Sequence, residues 1–600
     1  MTRQVTNGFV FALLLSSCAL QAASGATLSP QPSQQALTPA PNGPFHVQGN
    51  HIVDSKGRPY LMRGTQLTPF HPQTAARDAA SAADVFGPHS ATSLSAIRLR
   101  FNMNAVRLPL DIAEAGGDGY FSALAKVVSL ANRLDLLVIL AAREPGSALP
   151  SATTAEFWTH CAAAFKDSPN VMFDVFSGPS PSAVNGDAHI AAGWNVWRAA
   201  MNSSVQAIRS TGAAQPIAVM SWNDDRLFQG AGAAPLIDDP NIIYEVSPSY
   251  AANGTDAGRD AHFGFLANRA PVFATGWDLN LDDAADCASV PADPAAASQL
   301  VQGNLDYFDA HRISWTVSVF EPGKLIKDLS FHDATTLENG WTCGHPVYPY
   351  AGLGRVVEGH LRASQERGLF VVSASGGPDL ARGGFALAYG PVMAERDSIM
   401  VGTRAPATLG RLSVQITDSL GVTRPTGVMW ASAGWGQINF LIPEKSALGP
   451  ARMTIVREDG SRTGANITIG ETAPGVVTGH SCRGPAIGVA TSKSRNGRTT
   501  TAEISSCKGI RCATNQIPMA SGATTTVRLD SSGFRYAGSA ADIEVTIGGV
   551  RVPVVSFGPA DGPGKDQLTI EIPAALRGIG ETDLLCHLNG RVSNAVLVRL

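Results

Sequence analysis

The feature that most constrains the fold of this chain is an alternation of short β-rich runs and helical stretches between Phe45 and Leu361. Amphipathic segments such as GYFSALAKVVSLANRL and AAGWNVWRAAMNSSVQAIRS lie between the runs, and this alternation is typical of parallel βαβ units. The eight runs are LMRGTQL, NAVRLPL, LLVILAA, NVMFDVF, PIAVMSW, NIIYEVS, PVFATG and RISWTVSVF. Eight such units predict a closed (β/α)8 TIM barrel over residues 45–361.

The last third of the chain has a different pattern, with short alternating strands separated by Gly and Pro and almost no helical period. It also contains an internal repeat. QINFLIP at 437–443 is echoed by QLTIEIP at 567–573, and the turn pair Asp459-Gly460 is echoed at the same spacing by Asn589-Gly590. The repeat predicts two all-β Ig-like sandwiches, residues 370–475 and 476–600, with a cysteine-bearing loop excursion over residues 481–512.

The N-terminus reads as an export signal over residues 1–26, because Arg3 precedes a short apolar run from Phe9 to Leu15. Leu15-Ser16-Ser17-Cys18 also resembles a bacterial lipobox, so a lipid anchor at Cys18 is an open alternative. Residues 27–44 are rich in Ser, Pro, Gln and Ala and predict a disordered linker. No other segment approaches the roughly 20 apolar residues of a transmembrane helix. We therefore expect a secreted or cell-surface protein, with an outer-membrane lipoprotein as the alternative.

Composition narrows the class of partner. Charged residues make up 16% of the chain and the formal net charge is −4, so no basic field is present to attract nucleic acid or an anionic membrane. Walker A, Rossmann, HExxH and EF-hand patterns are all lacking, and we expect no cofactor and no metal site.

Seven cysteines remain when Cys18 is set aside, and their number suits an oxidising compartment. Cys161 lies in an apolar helical stretch and is predicted to stay a buried thiol. The disulfide candidates are Cys287 with Cys343, and two or all of Cys482, Cys507, Cys512 and Cys586.

The segment FHVQGNHIVDSKGRPYLMRGTQL resembles the N-terminal strand pair and first barrel strand of glycoside hydrolase family 5, the cellulase-like family. The segments that follow match further strands of that family in order: NAVRLPL, DSPNVMFDVFSGP, APVFATGWD and HRISWTVSVFEPG. The resemblance implies a barrel that hydrolyses glycosidic bonds with two carboxyl groups at the ends of two strands.

The residues at the active-site positions differ from those of that family. Gly178 stands where the resemblance implies the acid/base glutamate, and Gly276 stands where it implies the nucleophile. Ser177 replaces the asparagine that holds the sugar 2-hydroxyl, and Ser318 replaces a tryptophan, whereas Arg107 is retained. Glycine has no side chain that donates a proton or attacks an anomeric carbon, so the family mechanism is predicted to be lost. Arg107 and Ser177 remain candidates for substrate binding.

An alternative is that carboxylates elsewhere supply the chemistry. Asp278 and Glu321 are the best-placed relocated candidates, because each follows a predicted strand end by one or two residues. Asp174 and Glu245 lie inside strands, where alternation is expected to point them at the helices or into the filled barrel core. The remaining candidates are Glu144, Asp224 and Asp225.

Three tryptophans lie at or near predicted strand ends, where an aromatic face suits stacking against a pyranose ring. They are Trp222, Trp277 and Trp315, and Trp277 is the preferred ligand contact because it follows the lost nucleophile position. Ordinary core packing is the alternative for Trp315. Helical Trp158, Trp194 and Trp197 are expected to pack against the barrel.

The C-terminal pair resembles an Ig-like module of bacterial extracellular proteins, marked here by GQINFLIP, ALGPARMTIVREDG and TAPGVVT. That resemblance implies a surface-associated spacer or adhesion module. Three hypotheses follow for the whole chain. It is an inactive barrel that binds an extracellular polysaccharide or cell-surface glycan, an active glycosidase with relocated carboxylates, or a structural protein that acts through its Ig-like repeats.

Overall fold

The structure of the chain is a computed structural model. It describes residues 38–72, 87–117, 119–179, 187–221, 236–248, 254–277, 294–322, 324–326, 353–362, 369–390, 394–433, 436–480, 483–508 and 511–600. Among the helices in these ranges, none is long and apolar enough to cross a bilayer.

A closed parallel barrel follows a short N-terminal antiparallel hairpin, and it confirms the predicted fold. The hairpin strands are β1 (His46–Gln48) and β2 (His51–Val53). The barrel strands are β3 (Arg63–Gln66), β4 (Ala105–Asp111), β5 (Leu137–Arg143), β6 (Val171–Asp174), β7 (Ile217–Met220), β8 (Ile242–Val246), β9 (Val272–Trp277) and β10 (Ser314–Val317). Each strand pairs in parallel with the next, and β10 closes the ring by pairing with both β9 and β3.

Helices connect these strands on the outside of the barrel. Those described are α1 (Ala91–Ser95), α2 (Tyr120–Arg133), α3 (Ala152–Phe165), α4 (Asp187–Ser210), α5 (Asp256–His262), α6 (Pro294–Ala310) and α7 (Leu353–Arg362). Single-turn 3-10 helices cover Ile112–Glu114 and Gly264–Leu266, and a π-helical turn covers Ala96–Arg100.

Helix α2 shows how the sequence pattern sets these elements. Its buried residues include Leu124, Val127, Val128 and Ala131, at the spacing of one helical face. Asp135 follows the helix end with φ 58°, a left-handed conformation that ends the helix and turns the chain into β5. The apolar spacing therefore fixes which face of α2 packs on the barrel.

Two apolar layers and one polar layer fill the barrel domain. Inward-facing residues such as Ile139, Met172, Ile243 and Phe273 form a core at its N-terminal end, which the β1–β2 hairpin closes with Phe45. Outward-facing strand residues pack against the helices in a second, larger core. The polar layer lies above the first core, towards the C-terminal ends of the strands, and it forms the candidate site.

Strands β11 to β21 form two sheets that share one core, which is a β-sandwich. One sheet has β11 (Phe370–Ser373), β13 (Phe385–Tyr389), β14 (Ser398–Ile399), β18 (Val428–Ser432) and β19 (Gln437–Leu441). The other has β12 (Asp379–Ala381), β15 (Thr408–Leu409), β16 (Leu412–Thr417), β17 (Thr423–Thr426), β20 (Gly449–Arg457) and β21 (Arg462–Gly470).

Strands β22 to β36 form the second sandwich, again around one core. Its first sheet has β22 (Gly475–Val476), β25 (Gly488–Lys493), β26 (Thr499–Glu503), β29 (Thr524–Ser532), β32 (Val554–Pro559) and β33 (Asp566–Ile572). Its second has β23 (Thr478–His480), β24 (Arg483–Ala486), β30 (Ile543–Ile547), β31 (Val550–Val552), β34 (Glu581–Leu588), β35 (Arg591–Val592) and β36 (Val596–Arg599). The hairpin β27 (Ser505–Lys508) with β28 (Arg511–Thr514) stands apart.

The second sandwich packs directly on the barrel. Leu585, Val592 and Ala595 belong to the same buried core as the barrel helices, and the Ala595 amide donates to Ser95 Oγ at 2.9 Å. Arg133 Nη2 at the end of α2 donates to both carboxylate oxygens of Asp583 at 2.8 Å. This domain is therefore part of the barrel's packing.

Two predicted boundaries differ from the structure. Order begins before Phe45, because Arg98 Nη2 donates to the Thr38 carbonyl and Asn102 Oδ1 accepts from the Thr38 amide, so the predicted linker ends earlier. Residues 481–512 were expected to form a loop excursion, but the described part contributes strands to both sheets and ends in the β27–β28 hairpin. Its alternating Thr and Ser residues suit a sheet with one solvated face.

The cysteines divide into a surface disulfide and buried thiols. Cys507 and Cys512 are bonded across the β27–β28 hairpin, as their candidate pairing allowed. Cys161 is a free buried thiol, as predicted. Cys586 was a disulfide candidate, but it is a free thiol inside β34, and burial raises its pKa to about 12. Cys287, Cys343 and Cys482 lie outside the described residues.

Candidate functional site

Two glycines mark the C-terminal ends of β6 and β9, which are separated in the barrel by β7 and β8. Gly178 follows β6 and Gly276 lies within β9, and both are exposed with left-handed φ angles of 72° and 65°. A Cβ added at Gly178 would meet no atom of the described residues within 4 Å, whereas one at Gly276 would lie 2.9 Å from Ser247 Oγ. Both positions therefore hold backbone geometry that L side chains rarely adopt, and Gly276 also lacks room.

The left-handed Gly276 changes the direction of the side chain that follows. Pairing between β9 and β10 shifts register here, with Ala274 opposite Trp315 and Trp277 opposite Val317. Trp277 consequently faces the outer layer, where its ring lies 5.6 Å from Phe308 and 5.7 Å from Trp315. The indoles of Trp277 and Trp315 are 1% and 0% exposed. The structure thus places neither of these two predicted ligand contacts on an open surface.

Arg107 is the centre of the polar layer inside the barrel. Its guanidinium donates to Asp174 Oδ2, with the Nε bond at 2.8 Å, to Gln66 Oε1 at 2.6 Å and to Ser177 Oγ at 3.0 Å. Nη2 also lies 3.2 Å from Glu245 Oε1. Burial opposes the charge on Arg107, but the two carboxylates more than offset it and raise its pKa. The layer is a buried ion cluster with one cation and two acids.

Asp174 and Glu245 are both fully buried, which makes two full negative charges beside one arginine unfavourable. Burial, together with the neighbouring Asp174 carboxylate, raises the pKa of Glu245 well above its ordinary value. Thr275 Oγ1 donates to Glu245 Oε1, and Asp174 Oδ1 and Glu245 Oε2 lack other partners among the described residues. The raised pKa favours the protonated form of Glu245, in which Asp174 and Arg107 are the charged pair.

Ser177 links this buried layer to the barrel mouth. Its side chain is half-buried, and its oxygen accepts from Arg107. Since that oxygen is fixed as an acceptor on the inner side, its hydroxyl hydrogen is left for an acceptor elsewhere. Ser177 is therefore a polar group at the mouth whose position the buried cluster sets.

The other predicted carboxylates have different surroundings. Glu321 is 35% exposed and lies 3.6 Å from Lys324 Nζ. Glu144 accepts from Ser151 Oγ at 2.8 Å and from Thr154 Oγ1, which ties it to the start of α3. Asp278, Asp224, Asp225 and Trp222 lie outside the described residues. The helical tryptophans Trp158 and Trp197 are fully buried, as expected for packing.

Sequence reasoning left Asp174 and Glu245 pointing either at the helices or into the barrel core, and the structure places both in the core. It missed Gln66, which accepts from Arg107, and Thr275, which donates to Glu245. The available signal was strand alternation, since all these residues occupy inward positions just above the apolar barrel core. Among the described residues no cluster of three metal-ligating side chains is present.

The closed ring of eight parallel strands, with a charged layer beneath the C-terminal strand ends, defines this part of the chain as a (β/α)8 barrel. Residues 53–321 match the family model described as cellulase (glycosyl hydrolase family 5). That segment contains all eight barrel strands and confirms the resemblance predicted for it.

Similar solved structures include a β-glucanase from Saccharophagus degradans in complex with cellotetraose, at 19% identity and a TM-score of 0.40, covering 51% of this chain and 94% of that chain. A halotolerant family 5 cellulase from an Icelandic hot spring isolate is 16% identical, with a TM-score of 0.39 and coverage of 55% and 96%. The catalytic domain of a Thermobifida fusca endoglucanase is 18% identical, with a TM-score of 0.37 and coverage of 53% and 96%. No curated protein was found to match the chain.

Proposed function

We propose that this chain is a glycoside hydrolase-like protein whose barrel binds an extracellular polysaccharide without cleaving it. The observation that carries the proposal is the pair of exposed glycines, Gly178 and Gly276, at the positions where the family resemblance implies the two catalytic carboxylates. A retaining or inverting mechanism requires two carboxyl groups that flank the glycosidic bond. Neither glycine supplies one.

The buried acids do not replace them. Asp174 and Glu245 are 0% exposed, and both are committed to Arg107 in the barrel interior. A general acid must come within about 3 Å of the glycosidic oxygen or reach it through one water. Both side chains are buried and already bonded within the cluster, so neither is presented to a polysaccharide at the barrel mouth.

Binding is proposed to occur at the C-terminal end of the barrel. Ser177 presents a hydroxyl there from a position held by Arg107, and no atom of the described residues lies within 4 Å of a Cβ placed on Gly178. Hydroxyl groups of a sugar suit such a donor, because each carries acceptor lone pairs. The proposed domain limits are 45–361 for the barrel, 370–475 for the first Ig-like sandwich and 476–600 for the second.

Export is part of the same proposal and rests on the sequence of residues 1–26, which lie outside the described residues. The mature protein is proposed to be secreted or held at the cell surface, with a lipid on Cys18 as the alternative form. Intact-mass analysis of protein from the native membrane and medium fractions distinguishes cleavage near residue 26 from acylation at Cys18.

The test of function measures binding and cleavage in parallel. Purified protein is incubated with insoluble β-glucan, mannan and xylan, and both the retained protein and the released reducing ends are quantified. We expect retention on at least one polymer, no release, and weaker retention for Ser177→Ala. Thermal melting of the variant is the control for folding.

Two results would contradict the proposal. Release that is abolished by Asp278→Ala or Glu321→Ala would establish a working active site with relocated carboxylates. If the protein neither binds nor cleaves any of the polymers, the Ig-like repeats would be indicated as the part that carries the function.

A further inference from the structure

A cleft of about 570 Å³ lies between the barrel and the second sandwich. Helix α2 forms one wall, and the β30–β31 hairpin with the start of β34 forms the other. Its volume is within the range of small-molecule sites, and such sites favour domain interfaces. This cleft is separate from Gly178, Gly276 and Ser177, none of which lines it.

The two walls are held together by specific contacts. Arg133 Nη2 makes two hydrogen bonds of 2.8 Å to Asp583, and its Nη1 donates to Ser129 Oγ at 2.7 Å. Gly548 and Gly549 form the two-residue turn of the opposite hairpin with positive φ angles. A Cβ on Gly549 would lie 3.1 Å from Arg133 Nη1, so glycine lets the hairpin approach the arginine. These contacts fix the cleft's shape without a ligand.

The charges in the lining balance. Lys126 and Arg133 on α2 face Glu581 and Asp583 on β34, which gives two cations and two anions. Lys126 makes no ion pair with any described residue, and the Glu581 carboxylate accepts from Thr514 Oγ1. A lining of this kind favours a neutral ligand with many polar groups over a strongly charged one.

The rest of the lining alternates hydroxyl groups with aliphatic side chains. Ser129 and Thr582 supply hydroxyls, while Val550 and Ile579, each 46% exposed, leave large apolar side chains open at the cleft. A pyranose unit has the same two characters, with hydroxyls around its edge and C–H groups on its faces. Charged side chains bind such hydroxyls with charge-assisted hydrogen bonds.

We propose that this cleft is a second binding site, specific for a segment of a neutral oligosaccharide. It does not depend on the remnant site at the barrel mouth. A protein with both sites would hold one polymer, or two chains of it, at two separated points, and this raises retention on an insoluble polysaccharide through effective concentration.

Two variants of exposed residues on α2 test the site with little risk to folding. Ala125→Leu adds aliphatic bulk on the cleft wall, and Lys126→Ala removes the cation that lacks an ion pair. Ala163→Leu is the matched control, because Ala163 is an exposed alanine on another helix, α3, and does not line the cleft. The ligands are neutral cellohexaose and mannohexaose, with oligogalacturonate as the anionic comparison, and calorimetric titration gives affinity and stoichiometry for the full chain.

If the inference is correct, Ala125→Leu and Lys126→Ala weaken binding of a neutral oligosaccharide at one site at least fivefold, while Ala163→Leu leaves it unchanged. Ser177→Ala serves as the probe of the other site. One bound ligand per chain that responds only to the α2 variants would support the cleft and contradict binding at the mouth. Binding unaffected by both α2 variants, or tighter for oligogalacturonate than for both neutral ligands, would overturn the inference.

Discussion

The barrel interior and the barrel mouth lie one layer apart, yet they differ in which side chains they keep. The interior keeps a fully buried cluster in which Arg107 contacts Asp174, Glu245 and Ser177. The mouth has glycines at the two positions where chemistry is implied, and both are exposed. Buried charges are costly to lose one at a time, whereas an exposed side chain at a strand end can be lost with little effect on folding. The contrast separates residues that hold the barrel together from residues that would act on a substrate.

The largest loss of stability is expected when the buried cation of the barrel interior is removed. Arg107→Met leaves Asp174 and Glu245 buried without a positive partner, and we expect a loss of about 3–5 kcal/mol in the free energy of unfolding. Denaturant unfolding measures it. Arg143→Met, at the exposed end of β5, is the control and should change stability by less than about 0.5 kcal/mol. An Arg107→Met protein as stable as the control would show that the cluster is not held by its ion pairs.

The charge balance of the interior gives a prediction that depends on pH. Because the folded protein raises the pKa of Glu245, it binds that proton more tightly than the unfolded chain does. The contribution of Glu245 to the free energy of unfolding should therefore be fully present at acidic pH. It should be lost as pH rises through the raised pKa. Glu245→Gln keeps the shape and removes the titration.

Thermal melting from pH 5 to pH 9 checks this prediction. We expect Glu245→Gln to match the unchanged protein at pH 5 and to exceed it in melting temperature at pH 8 and above. A variant that is less stable at every pH would mean that Glu245 is ionised in the folded barrel.

Substitution of the two glycines at the barrel mouth tests how far each position tolerates a side chain. Gly276→Ala introduces a Cβ at φ 65° and 2.9 Å from Ser247 Oγ, and we expect a loss of about 2 kcal/mol. Gly178→Ala meets no described atom within 4 Å, so we expect only the left-handed conformation to cost energy, about 1 kcal/mol. Denaturant unfolding of both variants provides the measurement. Equal losses would show that Ser247 moves aside freely.

The smallest effects come from hydroxyls in the interior. Thr275→Val removes the donor to Glu245 and should cost about 1 kcal/mol. Thr316→Val is its natural control, because Thr316 Oγ1 is buried and has no partner among the described residues. Replacing an unpaired hydroxyl by a methyl should be neutral or stabilising. A larger loss for Thr316→Val than for Thr275→Val in denaturant unfolding would contradict the assigned bonding.

The sequence predicted the barrel and the β-rich C-terminal part well, because period and alternation report directly on burial. It failed where one residue changes the local direction of the chain. Alternation from Phe273 would place the side chain of Trp277 inside the barrel, but the left-handed Gly276 turns it outward. The ion pairs of Arg107 with Asp174 and Glu245 could not be predicted from the sequence either, because they join three strands that are far apart in sequence.

Cys586 illustrates a different limit. Cysteine number and compartment suggested a bridge, but its position in β34 places the thiol in an apolar core where no second cysteine of the described residues lies within bonding distance. The number of cysteines in a segment indicates a disulfide only where the fold brings two sulfur atoms together.

The bond between Ser95 and Ala595 joins residues 500 positions apart. Together with Leu585 and Val592, it means that the apolar outer surface of the barrel is completed only when the far end of the chain has been synthesised. The last part of the outer barrel surface is therefore covered only after the second sandwich has been synthesised, and its apolar side chains stay exposed until then. A nascent chain in that condition is a natural client for chaperones, and a chain truncated before residue 585 should be cleared by proteases or aggregate.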